Sequence, residues 1–310
     1  MSSYLVTGGA GFIGSHLSAK LLERGHQVRV ADNFVTGYRH NLRDGVELME
    51  GDLADPDAAR RAVVGIDYVL HQAAIPSVPR SVANPVESHR ANVDATLNML
   101  VASKDAKVKR LVFAGSSSVY GDTPTLPKTE DMPHNPLSPY ALHKQLGEQY
   151  AQMFTRLYGL ETVTTRYFNV FGPRQDPTSP YSGVISLFIK ALLDGTQPVI
   201  YGDGGQTRDF TYVGNVVDGV LRAAEAPGAA GEVVNVATSS RVSLNELLAV
   251  LKKIIGSDVQ PIHKEGRTGD VRHSQADITT AQKLLGYQPT VGLEEGLRET
   301  VAWYKTQSPS

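Results

Sequence analysis

The stretch Tyr4-Leu5-Val6-Thr7-Gly8-Gly9-Ala10-Gly11-Phe12-Ile13-Gly14 decides the fold. A short strand-like apolar run leads straight into glycines at 8, 11 and 14, and a helical pattern follows over residues 14–24. Glycine tolerates positive φ and carries no Cβ, so the backbone there can turn sharply and approach a pyrophosphate at the following helix N-terminus. Three glycines alone also suit a plain tight turn. Asp32, 18 positions beyond Gly14 at the end of the next strand pattern, selects the dinucleotide reading. A carboxylate at that place accepts both hydroxyls of an adenosine ribose and repels a 2′-phosphate, which predicts NAD rather than NADP. Asn33 and Phe34 supply no adjacent arginine for such a phosphate. Asp52, in Glu50-Gly-Asp-Leu53 after a third strand pattern, is a candidate partner for the adenine amino group.

Outward from this turn, short apolar runs alternate with longer helical patterns, as a parallel βαβ sheet does. Strands are predicted over residues 4–7, 27–31, 46–50, 68–72, 111–114 and 162–166, and helices over 14–24, 56–63, 86–103 and 140–158. After Asn169 the rhythm changes to a Pro/Gly/Ser-rich loop over 172–183, a helix near 184–194 and the turn Gly202-Asp-Gly-Gly. Residues 233–237 suit a strand returning to the first sheet, and 244–255, 279–285 and 293–305 read as helices. The expected fold class is α/β. A doubly wound parallel sheet, the Rossmann fold, would occupy 1–169 plus about 209–240 and bind NAD. A smaller C-terminal α/β substrate domain would occupy about 170–208 plus 241–310.

Composition limits the partners. Thirty Lys+Arg against 32 Asp+Glu leave a formal charge of −2, so no basic field exists to hold nucleic acid or an anionic membrane, and neither partner is expected. No run approaches the roughly 20 apolar residues of a membrane span. The first residues lack a basic and apolar leader, and with no cysteine in the chain a cytoplasmic location is expected. The missing cysteines also exclude thiolate nucleophiles and Cys-ligated metals, and the nine histidines show no H-x-x-x-H spacing, so no metal site is expected.

The chemistry points elsewhere. Ser138-Pro-Tyr140-Ala-Leu-His-Lys144 places Tyr140 and Lys144 four apart, which brings them to one helix face. A cation beside the phenol, joined by the positive charge of a bound nicotinamide, would favour phenolate and lower its pKa from near 10. Upstream, Gly115-Ser116-Ser117-Ser118-Val119-Tyr120-Gly121 follows a strand pattern, and a serine at that strand end can share a proton with a substrate and orient it toward the tyrosine. Y-x-x-x-K alone is also a common surface pair; its occurrence after a glycine turn and a strand-end serine is specific.

In that order these motifs resemble the extended short-chain dehydrogenase/reductase family, and within it the nucleotide-sugar 4-epimerases of the UDP-glucose and UDP-N-acetylglucosamine type, along essentially the whole chain. The resemblance implies that Gly8, Gly11 and Gly14, with Phe12 and Ile13 between them, bind the NAD pyrophosphate. It gives Asp32 and Asn33 the adenosine ribose, Asp52 and Leu53 the adenine, and Gln72, Ala73 and Ala74 the wall of the cofactor groove. Asn92 would contact NAD directly or indirectly. Ser116 matches the catalytic serine, Tyr140 the base and Lys144 the ligand of the nicotinamide ribose. Tyr167 borders the nicotinamide with Phe168, unless the two are core residues, and Asn169 binds the UDP-sugar along with Ser117.

For the substrate, Arg208 and Arg267 are the candidate pyrophosphate clamps, because a guanidinium fork pairs two phosphate oxygens at once. Asp270 would accept from the uridine ribose and Tyr201 would lie against uracil. Ser274 aligns with a position where epimerases limited to non-acetylated sugars carry a bulky tyrosine, and Ser77 resembles the branch that accepts N-acetyl sugars. The expected activity is a UDP-hexose 4-epimerase working on UDP-glucose and UDP-galactose and on their 2-acetamido counterparts, by transient oxidation at C4. The family also implies a homodimer through the helices near 86–103 and 140–158. Rival readings are a UDP-glucuronate 4-epimerase, whose extra carboxylate would need a partner such as Arg80 or Arg272, a sugar-nucleotide dehydratase and a non-catalytic NAD-binding protein. Dehydratases of the family carry Thr-Asp-Glu where this chain has Ser116-Ser117-Ser118, and non-catalytic relatives can lose the Tyr/Lys pair.

Overall fold

The structure is a computed structural model that describes residues 1–177, 183–266 and 271–307. Its centre is a seven-stranded sheet. In chain order the strands are β1 (Ser3–Thr7), β2 (Gln27–Asp32), β3 (Glu47–Glu50), β4 (Tyr68–His71), β5 (Arg110–Ser116), β6 (Glu161–Tyr167) and Val233–Val236. Val233–Val236 lies at one edge beside β6, followed by β5, β4, β1, β2 and β3, and every pairing is parallel. The strand order reverses between β1 and β4, where an open α/β sheet leaves a crevice beyond its carboxyl ends.

Period-two alternation gives the sheet two buried faces. Tyr4, Val6, Leu70 and Val112 join one core with Leu17 and Leu21 of helix Phe12–Glu23. Leu5, Val69, Leu111 and Phe113 join the other with Ala59, Met99, Ala151 and Phe154 from the helices Pro56–Ala62, Ala95–Asp105 and Pro139–Tyr158. Burial on both faces explains why these strands read as continuous apolar runs.

Three differences from the sequence reading stand out, besides the short helix Val78–Ala83 and the short strands beyond residue 169 that it did not contain. First, helix Val213–Glu225 was not anticipated: its valines are β-branched and favour strands, yet Val213, Val216, Val217 and Val220 recur at i, i+3, i+4 and i+7 and form one buried face. Second, the expected continuous helix over 86–103 is interrupted. Pro85–His89 and Ala95–Asp105 are α-helical, but Arg90–Asp94 is a π-helical turn. That turn carries Asn92, whose Oδ1 accepts from Ile75 N at 2.7 Å while its Nδ2 donates to Ile75 O at 3.3 Å. Third, β5 runs on to Ser116, so the candidate catalytic serine is the last residue of a strand.

Residues beyond 169 form short paired strands: Val170–Phe171 with Thr211–Tyr212, Thr207–Arg208 with Val242–Ser243, and Val199–Tyr201 with Ile262–Lys264. Helix Leu244–Ile255 begins with a capping box between Ser243 and Glu246. Phe171, Phe188 and Leu247 share one continuous core with Val6 and Val112, so this region is packed onto the sheet. Among the described residues no helix is long and apolar enough to cross a membrane.

Candidate active site

A cavity of about 1200 Å³ lies beyond the carboxyl ends of β1, β4, β5 and β6. Its first wall is the glycine turn. Gly8 has φ +64, and a Cβ on it would stand 2.8 Å from Ala73 Cα. A Cβ on Gly14 would stand 2.2 Å from the Gly8 carbonyl oxygen. Helix Phe12–Glu23 starts at Gly11 without a side-chain cap, which leaves its first N–H groups facing the cavity mouth as donors for an anion.

Asp32 is buried at the end of β2. Its Oδ2 accepts from Ala10 N at 2.9 Å and its Oδ1 from Phe34 N at 2.8 Å, so the carboxylate is oriented by the turn it serves and keeps lone pairs for hydroxyl donors. The Arg39 guanidinium lies 4.2 Å from the centre of the Phe34 ring and is paired with Glu50. Asn33, Asp52 and Leu53 line the same end. Asp52 is already engaged: its Oδ2 is 2.6 Å from Arg90 Nη1, a partner the sequence gave no means of choosing.

Gln72, Ala73 and Ala74 continue the wall from β4. Thr7 Oγ1 accepts from Gln72 N and Ala73 N, both at 3.1 Å, tying the strand ends at the switch point together. Gln72 Oε1 accepts from Tyr167 OH at 3.0 Å, and its Nε2 is buried with no partner among the described residues. Asn92 is not among the residues that line the cavity, but it holds Ile75, which is. The steric cradle at Gly8, the uncapped helix start, Asp32 and the unpartnered Gln72 amide together fit a dinucleotide such as NAD.

The three residues expected to carry the chemistry meet on this wall. Ser138 caps helix Pro139–Tyr158 by accepting from Ala141 N at 3.1 Å, and Tyr140 N donates to Ser81 Oγ at 3.1 Å. Tyr140 and Ser116 line the same stretch of wall, and Ser116 Oγ accepts from Ser118 Oγ at 2.9 Å. Lys144 is buried one turn on, its Nζ donating to Ala114 O at 2.8 Å.

The expected lowering of the Tyr140 pKa is absent in the protein alone. Burial pushes the phenol up to about 12, opposed only by the nearby Ser116 hydroxyl, and burial pulls the Lys144 ammonium down to about 8. Desolvation wins because the Lys144 head is aimed at a neutral carbonyl and lies 5.9 Å from the Tyr140 ring centre. Burial also raises Tyr167, at the end of β6, to about 12. Its neighbour Phe168 turns away, fully buried in the core at 6.0 Å from Tyr120, which settles that residue as packing.

On the far side the cavity is lined by Ser77, Ser117, Asn169, Arg208 and Ser274. Asn169 has φ +34 and donates through Nδ2 to Asp209 O at 3.2 Å. Ser77 caps the short helix Val78–Ala83. Tyr201 lies outside the residues that line this cavity. Arg267 and Asp270 lie outside the described residues. Arg80, one of the two arginines considered for a substrate carboxylate, lines the cavity, as does Lys128, which nothing in the sequence singled out. Arg272 is instead exposed and paired with Asp203 through two bonds of 2.9 and 2.8 Å.

The chain matches known proteins along nearly its whole length. The profile of the NAD dependent epimerase/dehydratase family covers residues 4–237. A UDP-glucose 4-epimerase of Mycolicibacterium smegmatis is 40% identical over 311 residues, which span 98% of this chain and 99% of that protein. Two crystal structures superpose with a TM-score of 0.95 each. One is a UDP-N-acetylglucosamine 4-epimerase of Methanobrevibacter ruminantium in complex with UDP-N-acetylmuramic acid, 40% identical and covering 99% of both chains. The other is a UDP-glucose 4-epimerase of Thermotoga maritima with UDP-glucose, 39% identical and covering 98% of this chain and 99% of that one. A glycine cradle and strand-end Asp32 beside Ser116, Tyr140 and Lys144, in a chain matched this fully, make the protein a member of the NAD dependent epimerase/dehydratase family, with NAD as its cofactor.

Proposed function

We propose that the protein is a UDP-hexose 4-epimerase that interconverts UDP-glucose with UDP-galactose and UDP-N-acetylglucosamine with UDP-N-acetylgalactosamine. The observation that carries this reading is the meeting of Ser116, Tyr140 and Lys144 on one wall of the NAD groove, with Lys144 one helical turn from Tyr140. No carboxylate stands in the Ser116-Ser117-Ser118 segment, so the acid/base pair that water elimination needs has no place there.

The glycine turn and the start of helix Phe12–Glu23 hold the cofactor pyrophosphate, Asp32 and Asn33 the adenosine ribose, and Lys144 the nicotinamide ribose. NAD, when bound, supplies the hydride acceptor and donor for sugar C4. Tyr140 takes the proton of the sugar 4-OH and returns it after the 4-keto sugar has presented its other face, with Ser116 in the hydrogen-bond path. Formation of the phenolate against a pKa of about 12 needs positive charge on that side, from Lys144 and the oxidised nicotinamide together; each unit of lowering is about 1.4 kcal/mol. Arg208 and Asn169 anchor the nucleotide part, so binding energy remote from C4 retains the sugar while it turns. Ser274 leaves room for a 2-acetamido group.

The protein acts as a homodimer. Leu142, Met153 and Leu157 on helix Pro139–Tyr158 and Val101 on Ala95–Asp105 are exposed apolar side chains on neighbouring helices, a face suited to a second copy.

A panel of UDP-glucose, UDP-N-acetylglucosamine and UDP-glucuronate tests the reading. Formation of the C4 epimers of the first two supports it; turnover of UDP-glucuronate alone, or release of a 4-keto-6-deoxy sugar, contradicts it.

A further inference from the structure

Among the described residues five cationic side chains line the cavity: Arg80, Arg90, Lys128, Lys144 and Arg208. Arg80 Nη2 is 2.6 Å from Glu87 Oε1, and Arg90 is neutralised by Asp52. Arg208 faces the nucleotide in the reading above, and Lys144 belongs to the tyrosine pair. Lys128 is accounted for by none of these roles.

Lys128 is 2% exposed and has no ion pair among the described residues. Its Nζ donates to the carbonyl and the hydroxyl of Thr123, both neutral acceptors. An ammonium has three N–H donors, so one remains unspent. Burial holds the group below the usual lysine value, opposed only by the more distant charge of Asp122. A buried cation without a counter-anion is costly in a protein interior and is tolerated where a partner arrives from outside.

The backbone around Lys128 is fixed from three directions. Its N donates to Gln275 O at 2.8 Å, and its O accepts from Asp277 N at 2.8 Å and from Asn235 Nδ2 at 3.0 Å. This stitching places Lys128 beside the segment that carries Ser274. Thr123 in turn follows the Ser116–Gly121 turn, and its Oγ1 donates to Tyr120 O at 3.4 Å. Lys128 therefore belongs to the wall shared by the catalytic serine turn and the Ser274 segment. The glycine turn and the adenosine end are built from other strands.

We propose that Lys128 is a specificity-determining residue that gives the sugar side of the cavity an anion subsite, so that UDP-sugars bearing a carboxylate on the hexose are bound in addition to neutral ones. This rests on the UDP-sugar reading above. It widens the acceptor range of the same site and assigns the carboxylate's partner, which Arg272 cannot be, being exposed and committed to Asp203.

The test is the affinity ratio of UDP-glucuronate to UDP-glucose, measured calorimetrically on the NAD-loaded protein. The wild type is expected to bind UDP-glucuronate at least as tightly as UDP-glucose, to within twofold. Lys128→Met, which removes the charge at similar length, lowers the ratio about tenfold, equivalent to about 1.4 kcal/mol. Weaker wild-type binding of UDP-glucuronate by more than twofold overturns the proposal, and this measurement needs no variant to fold. A ratio change below threefold in Lys128→Met, or in Lys128→Gln if the first is unstable, also overturns it. If that unchanged ratio comes with weaker binding of UDP itself, the cation serves the diphosphate. A protein that epimerises no UDP-sugar but still prefers UDP-glucuronate through Lys128 would retain this subsite and lose the proposed activity.

Discussion

Lys144 Nζ lies 5.9 Å from the centre of the Tyr140 ring and donates at 2.8 Å to the carbonyl of Ala114, two residues before Ser116 on the same strand. One strand end therefore borders both halves of the catalytic pair: Ser116 shares the cavity wall with the phenol, and Ala114 accepts from the ammonium. The site is built before any ligand arrives, at the cost of burying a lysine.

That cost sets the first expectation. Lys144 titrates at about 8 in the folded chain against 10.5 in the open one, so between these values the unfolded state binds more protons and stability rises with pH. Below pH 8 the burial penalty applies in full. Lys144→Met should leave the cofactor-free protein at least as stable as the wild type at pH 7, with any gain shrinking from pH 8 toward 10.5. Turnover should fall at least about 100-fold. Thermal unfolding at pH 7 and pH 10 checks the first part.

The glycines separate geometry from conformation. Gly14→Ala drives a Cβ to 2.2 Å from the Gly8 carbonyl, backbone against backbone, and should cost about 1–3 kcal/mol and most of the NAD affinity. Gly25 also has positive φ, at +77, but has nothing within 4 Å. Gly25→Ala should cost only about 1–2 kcal/mol from its backbone angle and leave NAD affinity intact. Paired melting curves and NAD titrations distinguish the two.

His16 carries an acid-side expectation. Its Nε2 donates to Pro173 O at 2.9 Å, and burial pushes the imidazole down to about 4. A group whose folded pKa is lowered contributes stability that is complete above about pH 6.5 and is lost as pH falls to about 4. His16→Gln should flatten the decline of stability over that window, as followed by denaturant midpoints at pH 7 and pH 4.5.

Ser274 lines the cavity with its backbone fixed by a 3.0 Å bond from its N to Thr207 O. A tyrosine there has no backbone freedom to retreat. Ser274→Tyr should lower kcat/KM for UDP-N-acetylglucosamine at least about tenfold more than for UDP-glucose, measured side by side.

Leu157 is 65% exposed near the end of the catalytic helix. If that face meets a second copy, Leu157→Glu should shift the sedimentation coefficient from dimer to monomer without changing the far-UV circular dichroism.

Much of this was legible in the sequence because the signals were local. The glycine spacing, Asp32 and the Tyr140/Lys144 step each report a backbone requirement over a few residues, and all of them line the cavity. What escaped depended on distant partners. The β-branched valines of Val213–Glu225 gave no helix signal by composition, and their common face gains meaning only against a core, while the π-helical turn at Arg90–Asp94 accompanies the grip of Asn92 on Ile75, 17 positions away. The rise of Tyr140 to about 12 reflects burial, which spacing does not encode. Lys128 had no signal at all: a lysine in Leu126-Pro-Lys-Thr reads as solvent-facing until its buried wall is assembled.

The central claim is reversible oxidation at C4 with return of the same hydride. UDP-glucose deuterated at C4, incubated with the purified NAD-loaded protein, tests it most directly. The account predicts UDP-galactose with deuterium retained at C4 and no net reduction of the cofactor at equilibrium. Loss of the label to solvent, or no C4 epimer from either UDP-glucose or UDP-N-acetylglucosamine, would contradict it.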